Sequence, residues 1–274
     1  MIAPKPRNTG KVFLVGAGPG DPELLTIKAH RLLNEADLVL RDDLVSAAVI
    51  SLAGPRSIIV NVGKRCGVKR VTQLEINALM VDAAREGKHV VRLKSGDPGV
   101  FGRLNEELDA LRAAKIPFEV VPGVTAANAA AASLGFSLTD RRMSSRVIFV
   151  SGHQAGAKGP ADEPDWPSLA QENATIVVYM PGTGLRQLSR KLIAAGLARE
   201  TPAVVVAQVS TPLQKHSWST VDGLGDLDSS ASPSILLIGR SLNVAECHAA
   251  LENLSTQELV QSFTQAQLER RIAS

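Results

Sequence analysis

The sequence predicts an α/β protein of two α/β domains. Three observations carry that prediction. Short β-branched runs alternate with helical stretches along most of the chain. Two of those runs end in glycine-rich turns just before a helix, the arrangement that places ligand sites at the carboxyl edge of an open sheet. A polar stretch, Leu138 to Ser145, interrupts the alternation and marks the boundary between the domains.

In chain order, residues 1–10 carry Pro and Lys and read as a loose tail. The first domain, residues 11–139, opens with a strand at Phe13–Val15 and a helix from Pro22 to Asn34, capped by Asp21. Strands follow at Asp37–Leu40 and Ile58–Val60. Gln73–Glu86 is a helix in which Leu74, Asn77, Ala78 and Val81 share a face. Then come a strand at Lys88–Leu93, a helix at Leu104–Ala113, a strand at Phe118–Val121 and an alanine-rich helix at Thr125–Ser133. This order predicts a mostly parallel sheet. The second domain, residues 146–244, holds strands at Arg146–Val150, Thr175–Tyr179, Ala203–Gln208 and Ile235–Ile238, and a helix at Gly182–Ala195. Gln154–Pro167, rich in Gly, Pro and Asp, reads as a surface excursion. Residues 245–274 read as a polar helical tail.

Composition narrows the function. A chain of 274 residues with 45% hydrophobic residues can fill one large or two modest cores. Aromatic residues at 3% argue against stacking-based binding of single-stranded nucleic acid. The formal charge of +3 is too small to suggest a nucleic-acid partner. Its excess lies in the first half, where it suits steering of an anionic small molecule. Cys66 and Cys247 are too few for a disulfide framework or a zinc cluster. They point to a reducing, cytoplasmic setting and no metal. Met1-Ile2-Ala3-Pro4-Lys5-Pro6 lacks the apolar core of a signal peptide, and no run reaches the ~20 apolar residues of a membrane span.

The run Arg92-Leu93-Lys94-Ser95-Gly96-Asp97-Pro98-Gly99-Val100-Phe101-Gly102-Arg103 is the most informative stretch. A strand ending in Gly-Asp-Pro presents backbone N–H groups and one carboxylate; the plainer reading has Asp97 merely capping the turn. Val12-Phe13-Leu14-Val15-Gly16-Ala17-Gly18-Pro19-Gly20-Asp21-Pro22 is a second such run. It is a poor dinucleotide fingerprint, because Asp21 stands where the third glycine belongs and Pro19 and Pro22 disturb the phosphate-binding helix start.

Together these runs resemble the tetrapyrrole methylase family, and within it most closely the uroporphyrinogen-III C-methyltransferases. The resemblance extends through Arg41-Asp42-Asp43-Leu44-Val45, Val62-Gly63-Lys64-Arg65-Cys66-Gly67, Val121-Pro122-Gly123-Val124-Thr125-Ala126 and Ser151-Gly152-His153, over roughly residues 10–240. It implies two α/β domains with an active-site cleft between them, S-adenosylmethionine as cofactor (S-adenosylhomocysteine as product), a tetrapyrrole substrate and a homodimer. It assigns cofactor contacts to Gly18, Pro19, Ser95, Gly96, Asp97, Val100, Thr125, Ala126, Met180 and Val209. It gives Asp42 the role of base and Lys64 that of acid. Arg41, beside Asp42 in sequence, favours an ionised carboxylate. Arg41, Arg65, Lys94 and Arg103 suit the carboxylates of such a substrate. His153 suits either the substrate or a hydrogen bond at the domain junction.

Several positions depart from the family pattern. Arg41 replaces an aromatic residue, Ser95 a Gly, Gly99 a Phe, Leu104-Asn105 a Gly pair and Val209 a Gly. Asp140-Arg141-Arg142-Met143 stands in place of His-Arg-Asp-Tyr. The expectation is therefore C-methylation of uroporphyrinogen III to precorrin-2 through precorrin-1, in sirohaem, cobalamin or haem d1 synthesis. The alternatives are a sister methylase of a later precorrin and a non-catalytic binding relative, the latter disfavoured by retained Asp42 and Lys64.

Overall fold

The computed structural model describes residues 9–63, 71–152, 164–171, 173–227 and 232–242. Strand β1 (Val12–Gly16) is buried along its whole length, as a central strand covered on both faces must be. It lies between β4 (Val90–Lys94) and β5 (Phe118–Val121), with β2 (Leu38–Arg41) and β3 (Ile58–Asn61) beyond β4, in the order β3-β2-β4-β1-β5. Every neighbouring pair is parallel, so all five carboxyl ends open on one edge.

Alternation along the strands divides the core into two faces. Val12, Leu14, Leu40 and Val90 meet helices α3 (Gln73–Arg85) and α4 (Leu104–Ala113) through Ile76, Met80, Leu108 and Leu111. Phe13, Val15, Val39 and Val91 meet α1 (Ile27–Glu35) and α2 (Ala47–Ile50) through Leu32, Leu33 and Val49.

The second sheet has the order β6-β7-β10-β8-β9, built from β6 (Arg146–Ser151), β7 (Ala174–Tyr179), β8 (Pro202–Ala207), β9 (Lys215–Thr220) and β10 (Ser234–Ile238). Only β6 and β7 pair in parallel; the remaining neighbours are antiparallel. One face carries α6 (Trp166–Leu169) and α7 (Leu185–Ala194). The other carries α5 (Ala126–Ser133), whose Ala127, Ala129 and Ala130 pack on Val177, Val204, Val206 and Ile235. The helix that follows the first sheet in sequence therefore packs on the second. Its alanines permit that close approach, and α5 ties the two halves together at the cleft.

Three expectations change. The helix from Pro22 to Asn34 is two pieces. Asp21 caps a single 3-10 turn, Pro22–Leu24, while Thr26 starts α1 by accepting from Ala29 N–H at 3.1 Å. The second cap ends the first turn. Helix α3 turns inward a face that shares only Val81 with the expected one, burying Ile76, Met80, Val81, Ala83 and Ala84 and leaving Leu74 80% exposed. The Thr72–Glu75 capping box sets the start, and the apolar stripe beginning at Ile76 outweighs the one beginning at Leu74. Strand β9 was not anticipated, because it is a polar, largely exposed edge strand without an inward hydrophobic alternation.

Candidate active site

Three strand ends converge at the carboxyl edge of the first sheet. Their closeness depends on glycine. A Cβ on Gly123, after β5, would lie 2.3 Å from the Gly96 carbonyl oxygen, and one on Gly16 would lie 2.7 Å from Gly123 Cα. Gly18 and Gly96 exchange backbone hydrogen bonds of 3.2 and 2.8 Å, both with positive φ near 66°. Asp97 fastens this arrangement. Its Oδ1 accepts from Gly99 N–H at 2.7 Å and its Oδ2 from Gly123 N–H at 3.0 Å. The carboxylate thus caps its own turn and joins it to the loop after β5.

Beside this turn lies a cavity of about 210 Å3. Pro19, Ser95, Gly96, Asp97, Val100, Phe101, Thr125 and Ala126 line it from the first sheet's loops and the start of α5. Tyr179, Met180, Val209, Pro233, Ser234 and Ile235 line it from the second half, and Asp42, Leu44 and Lys94 lie at its end. Tyr179 bridges the cleft: its Oη is 2.6 Å from Thr125 Oγ1 and accepts from Ala127 N–H at 3.3 Å. Its ring centroid is 5.0 Å from that of Phe101. Burial raises the Tyr179 pKa, against the opposing effect of the Thr125 hydrogen bond, so the hydroxyl keeps its proton. Phe101 (φ 52°) and Met180 (φ 53°) both hold left-handed backbone, as do Gln208 and Ser210 on either side of Val209. Such strain in non-glycine residues clusters where a binding site dictates direction.

A second hollow, of about 320 Å3, adjoins the first and shares Asp42, Leu44, Lys94, Ser95, Phe101 and Gly102 with it. Its other walls include Asp43, Val62, Gln73, Ile76, Arg92 and Arg103. Behind the junction runs a buried ionic chain. Arg92 Nη2 lies 2.5 Å from Asp42 Oδ1, Arg92 Nε donates to Glu107 Oε1 at 2.9 Å, and Lys94 Nζ lies 2.8 Å from Glu107 Oε2, off the line of a good hydrogen bond. Desolvation lowers the Arg92 pKa, but Asp42 and Glu107 outweigh it and raise the net value. Lys94 goes the other way: burial lowers its pKa first, Arg92 next, and Glu107 opposes them.

Most of the sequence-designated cofactor residues gather here. Pro19, Ser95, Gly96, Asp97, Val100, Thr125, Ala126, Met180 and Val209 all line the first cavity, and Gly18 stands directly behind through its bridge to Gly96. Asp42 sits at the junction. Arg103 lines the second hollow, where Glu106 engages it through two hydrogen bonds of 2.7 Å. Lys94 forms part of the wall of both hollows, but its side chain is buried and its ammonium is paired with Glu107. Arg41 lines neither hollow. It borders a separate depression with Val45, Ala47 and Ile59, and its Nη1 reaches the backbone oxygen of Asp42 at 3.4 Å. The cation on the Asp42 carboxylate is Arg92, not the neighbouring Arg41. Lys64, Arg65 and His153 lie outside the described residues.

Sequence reasoning missed Tyr179, Phe101, Arg92 and Glu107. Signals existed for three of them. Tyr179 is the single tyrosine of the chain and directly precedes Met180. Arg92 and Lys94 flank Leu93 and so share one side of β4, while Glu107 interrupts the Leu104, Leu108 and Leu111 stripe of α4. Charges placed on two inward faces are expected to find each other.

Comparison with known proteins identifies the family. Residues 11–224 match the family model for tetrapyrrole (corrin/porphyrin) methylases. A siroheme synthase of Nitrosomonas europaea is 44% identical over 246 residues, covering 89% of this chain and 50% of that protein. One of Neisseria meningitidis is 43% identical over 238 residues, covering 86% and 49%. The chain thus spans about half the length of these curated relatives. The structure of a uroporphyrin-III C-methyltransferase from Thermus thermophilus aligns with a TM-score of 0.74 at 38% identity, covering 86% of this chain and 100% of that one. A structure of that enzyme with S-adenosylhomocysteine gives 0.74 at 39%, with the same coverage. A cobalt-precorrin-4 methyltransferase aligns with a TM-score of 0.76 at 32% identity, covering 89% and 100%. The family model spans most of the chain, residues 11–224, and the chain belongs to the tetrapyrrole (corrin/porphyrin) methylases.

Proposed function

We propose that the chain is an S-adenosylmethionine-dependent C-methyltransferase that converts uroporphyrinogen III to precorrin-2 through precorrin-1, serving sirohaem, cobalamin or haem d1 synthesis. One observation carries this reading: a mainly apolar cavity and a charged hollow meet at Asp42. Two reactants held in adjoining hollows are brought together at their shared wall.

The residues present fit the methyl donor. Val100, Met180, Val209 and Ile235 offer an apolar wall for an adenosine, and the glycine-lined turns let backbone polar groups approach. Asp97 spends one hydrogen bond on each oxygen, which leaves lone pairs for an ammonium or a ribose hydroxyl. The bound donor supplies an electrophilic methyl group on a sulfonium.

The chain's own residues do the rest. Asp42 accepts the proton that the tetrapyrrole loses as its ring carbon is methylated, and Arg92 orients that carboxylate. Phe101, its ring against that of Tyr179, restricts water at the junction. Arg103 meets a substrate carboxylate by exchanging out of its pair with exposed Glu106, a pair of small net worth. Lys64, Arg65 and His153 complete the proposed substrate and acid groups. Among the described residues no helix is long and apolar enough to cross a membrane. The reading places the protein in the cytoplasm as a homodimer.

Incubation with S-adenosylmethionine and uroporphyrinogen III, followed by mass measurement, tests this. The reading requires two added methyl groups. Methylation of an already methylated precorrin alone would favour a later step, as in the cobalt-precorrin-4 methyltransferase that this fold also matches.

A further inference from the structure

Glu107 is completely buried on α4, on a face otherwise made of Leu104, Leu108 and Leu111. A leucine there would avoid the cost of dehydrating a charge, and replacing buried ion pairs by apolar residues is often neutral or stabilising. Stability therefore does not account for Glu107, whereas its geometry does. Arg92 is a strut with Glu107 Oε1 at one end, 2.9 Å from Nε, and Asp42 Oδ1 at the other, 2.5 Å from Nη2. Lys94 shares the same carboxylate at 2.8 Å. The groups facing this cluster are Arg92 and Lys94 from β4, Asp42 beyond β2, Arg103 before α4, Asp43 in the same hollow and the neutral amide of Gln73 from α3.

We propose that Glu107 is a positioning residue for methyl transfer, anchoring Arg92 so that Asp42 is held at the junction and pairing the Lys94 ammonium beneath it. The inference rests on the functional reading above. Burial and Arg92 both press Lys94 to give up its proton, and Glu107 resists them. Without the Glu107 charge, Lys94 loses its proton at lower pH and Arg92 is gripped at one end only. Loss of the Lys94 proton removes a cation whose field reaches Asp42, so the Asp42 carboxylate is held less firmly whether or not residue 107 is charged.

Two measurements on the full chain test this. In protein carrying 13Cε-lysine, the Lys94 resonance is assigned by its loss in Lys94→Arg, and its titration is followed by NMR. In Glu107→Gln that titration moves to lower pH. In turnover, Glu107→Gln lowers kcat by roughly 10- to 100-fold and leaves KM for the methyl donor within about twofold. The alkaline limb of kcat moves with the Lys94 titration, and Glu107→Asp, which keeps the charge, recovers part of the loss. An unmoved Lys94 titration, or an unmoved kcat limb, overturns the proposal. Should Glu107→Gln not fold, Lys94→Arg decides the same point, since its alkaline limb must disappear. A limb that persists there overturns the proposal too. A wild-type protein that adds no methyl group to uroporphyrinogen III defeats the functional reading and with it the methyl-transfer role. The Lys94 titration then still decides, separately, whether Glu107 holds that proton.

Discussion

The Arg92 guanidinium stands 2.5 Å from the Asp42 carboxylate, although fifty residues separate them in sequence. That contact crosses from β2 to β4 through the parallel pairing of Leu40 with Arg92, so the sheet register itself brings the proposed base to its cation. Asp42→Asn keeps an oxygen for Arg92 and removes the proton acceptor. We expect kcat to fall by roughly 10²- to 10⁴-fold while the dissociation constant for S-adenosylhomocysteine barely changes. Turnover at the wild-type rate would make Asp42 structural only.

Asp97 serves two backbone donors at once, Gly99 N–H and Gly123 N–H. Hydrogen bonds to a charged group contribute about 1.5–3 kcal/mol each, so Asp97→Ala should lower both methyl-donor affinity and melting temperature. The affinity loss should be about tenfold to hundredfold. Asp97→Asn should fall between the two proteins. Calorimetry that finds undiminished affinity in a folded Asp97→Ala protein would remove Asp97 from the donor site.

Tyr179 joins the second sheet to α5 through Thr125 and Ala127. Tyr179→Phe retains the ring against Phe101 but leaves a backbone N–H without its acceptor. Urea unfolding should show a loss of about 1–2 kcal/mol. Equal stability would mean that the hydroxyl plays no part in holding the cleft together.

Glu119 tests the electrostatics outside the site. Hydrogen bonds from Lys11 and then Lys28 hold its carboxyl down at about 2, below its ordinary 4.5. A lowered folded-state value means stability that is present above the unfolded pKa and lost as pH falls through the folded one. The pairs are at the surface, so the contribution is well under about 1 kcal/mol. Glu119→Gln should therefore melt slightly below wild type at neutral pH, with the gap closing between pH 4.5 and about 2. A gap that widens on acidification would contradict this sign.

Local signals were legible wherever chemistry repeats with the backbone. The bounds of α4 and β5 follow from the sequence, and so does the turn at Asp97, because Gly-Asp-Pro after a buried strand has few other conformations. The inward face of α3 was not legible: two apolar stripes compete there, and only packing against α4 selects Ile76 over Leu74. Lys94 looked like a free cation for the same kind of reason. Its partner Glu107 lies on the next helix, and adjacency in sequence says nothing of adjacency across a sheet face. Arg41 misled in the opposite way, being next to Asp42 in the chain while its side chain borders a different depression.

The central claim is transfer of a methyl group to ring carbon at the junction marked by Asp42. Its most direct test supplies S-adenosylmethionine with a 13C-labelled methyl group to the protein with uroporphyrinogen III, and locates the label by NMR. Two labelled methyl groups are expected, each bonded to a ring carbon, with a singly methylated intermediate preceding the doubly methylated product. Label on the carboxylates, or no transfer to uroporphyrinogen III alongside transfer to an already methylated precorrin, would contradict it.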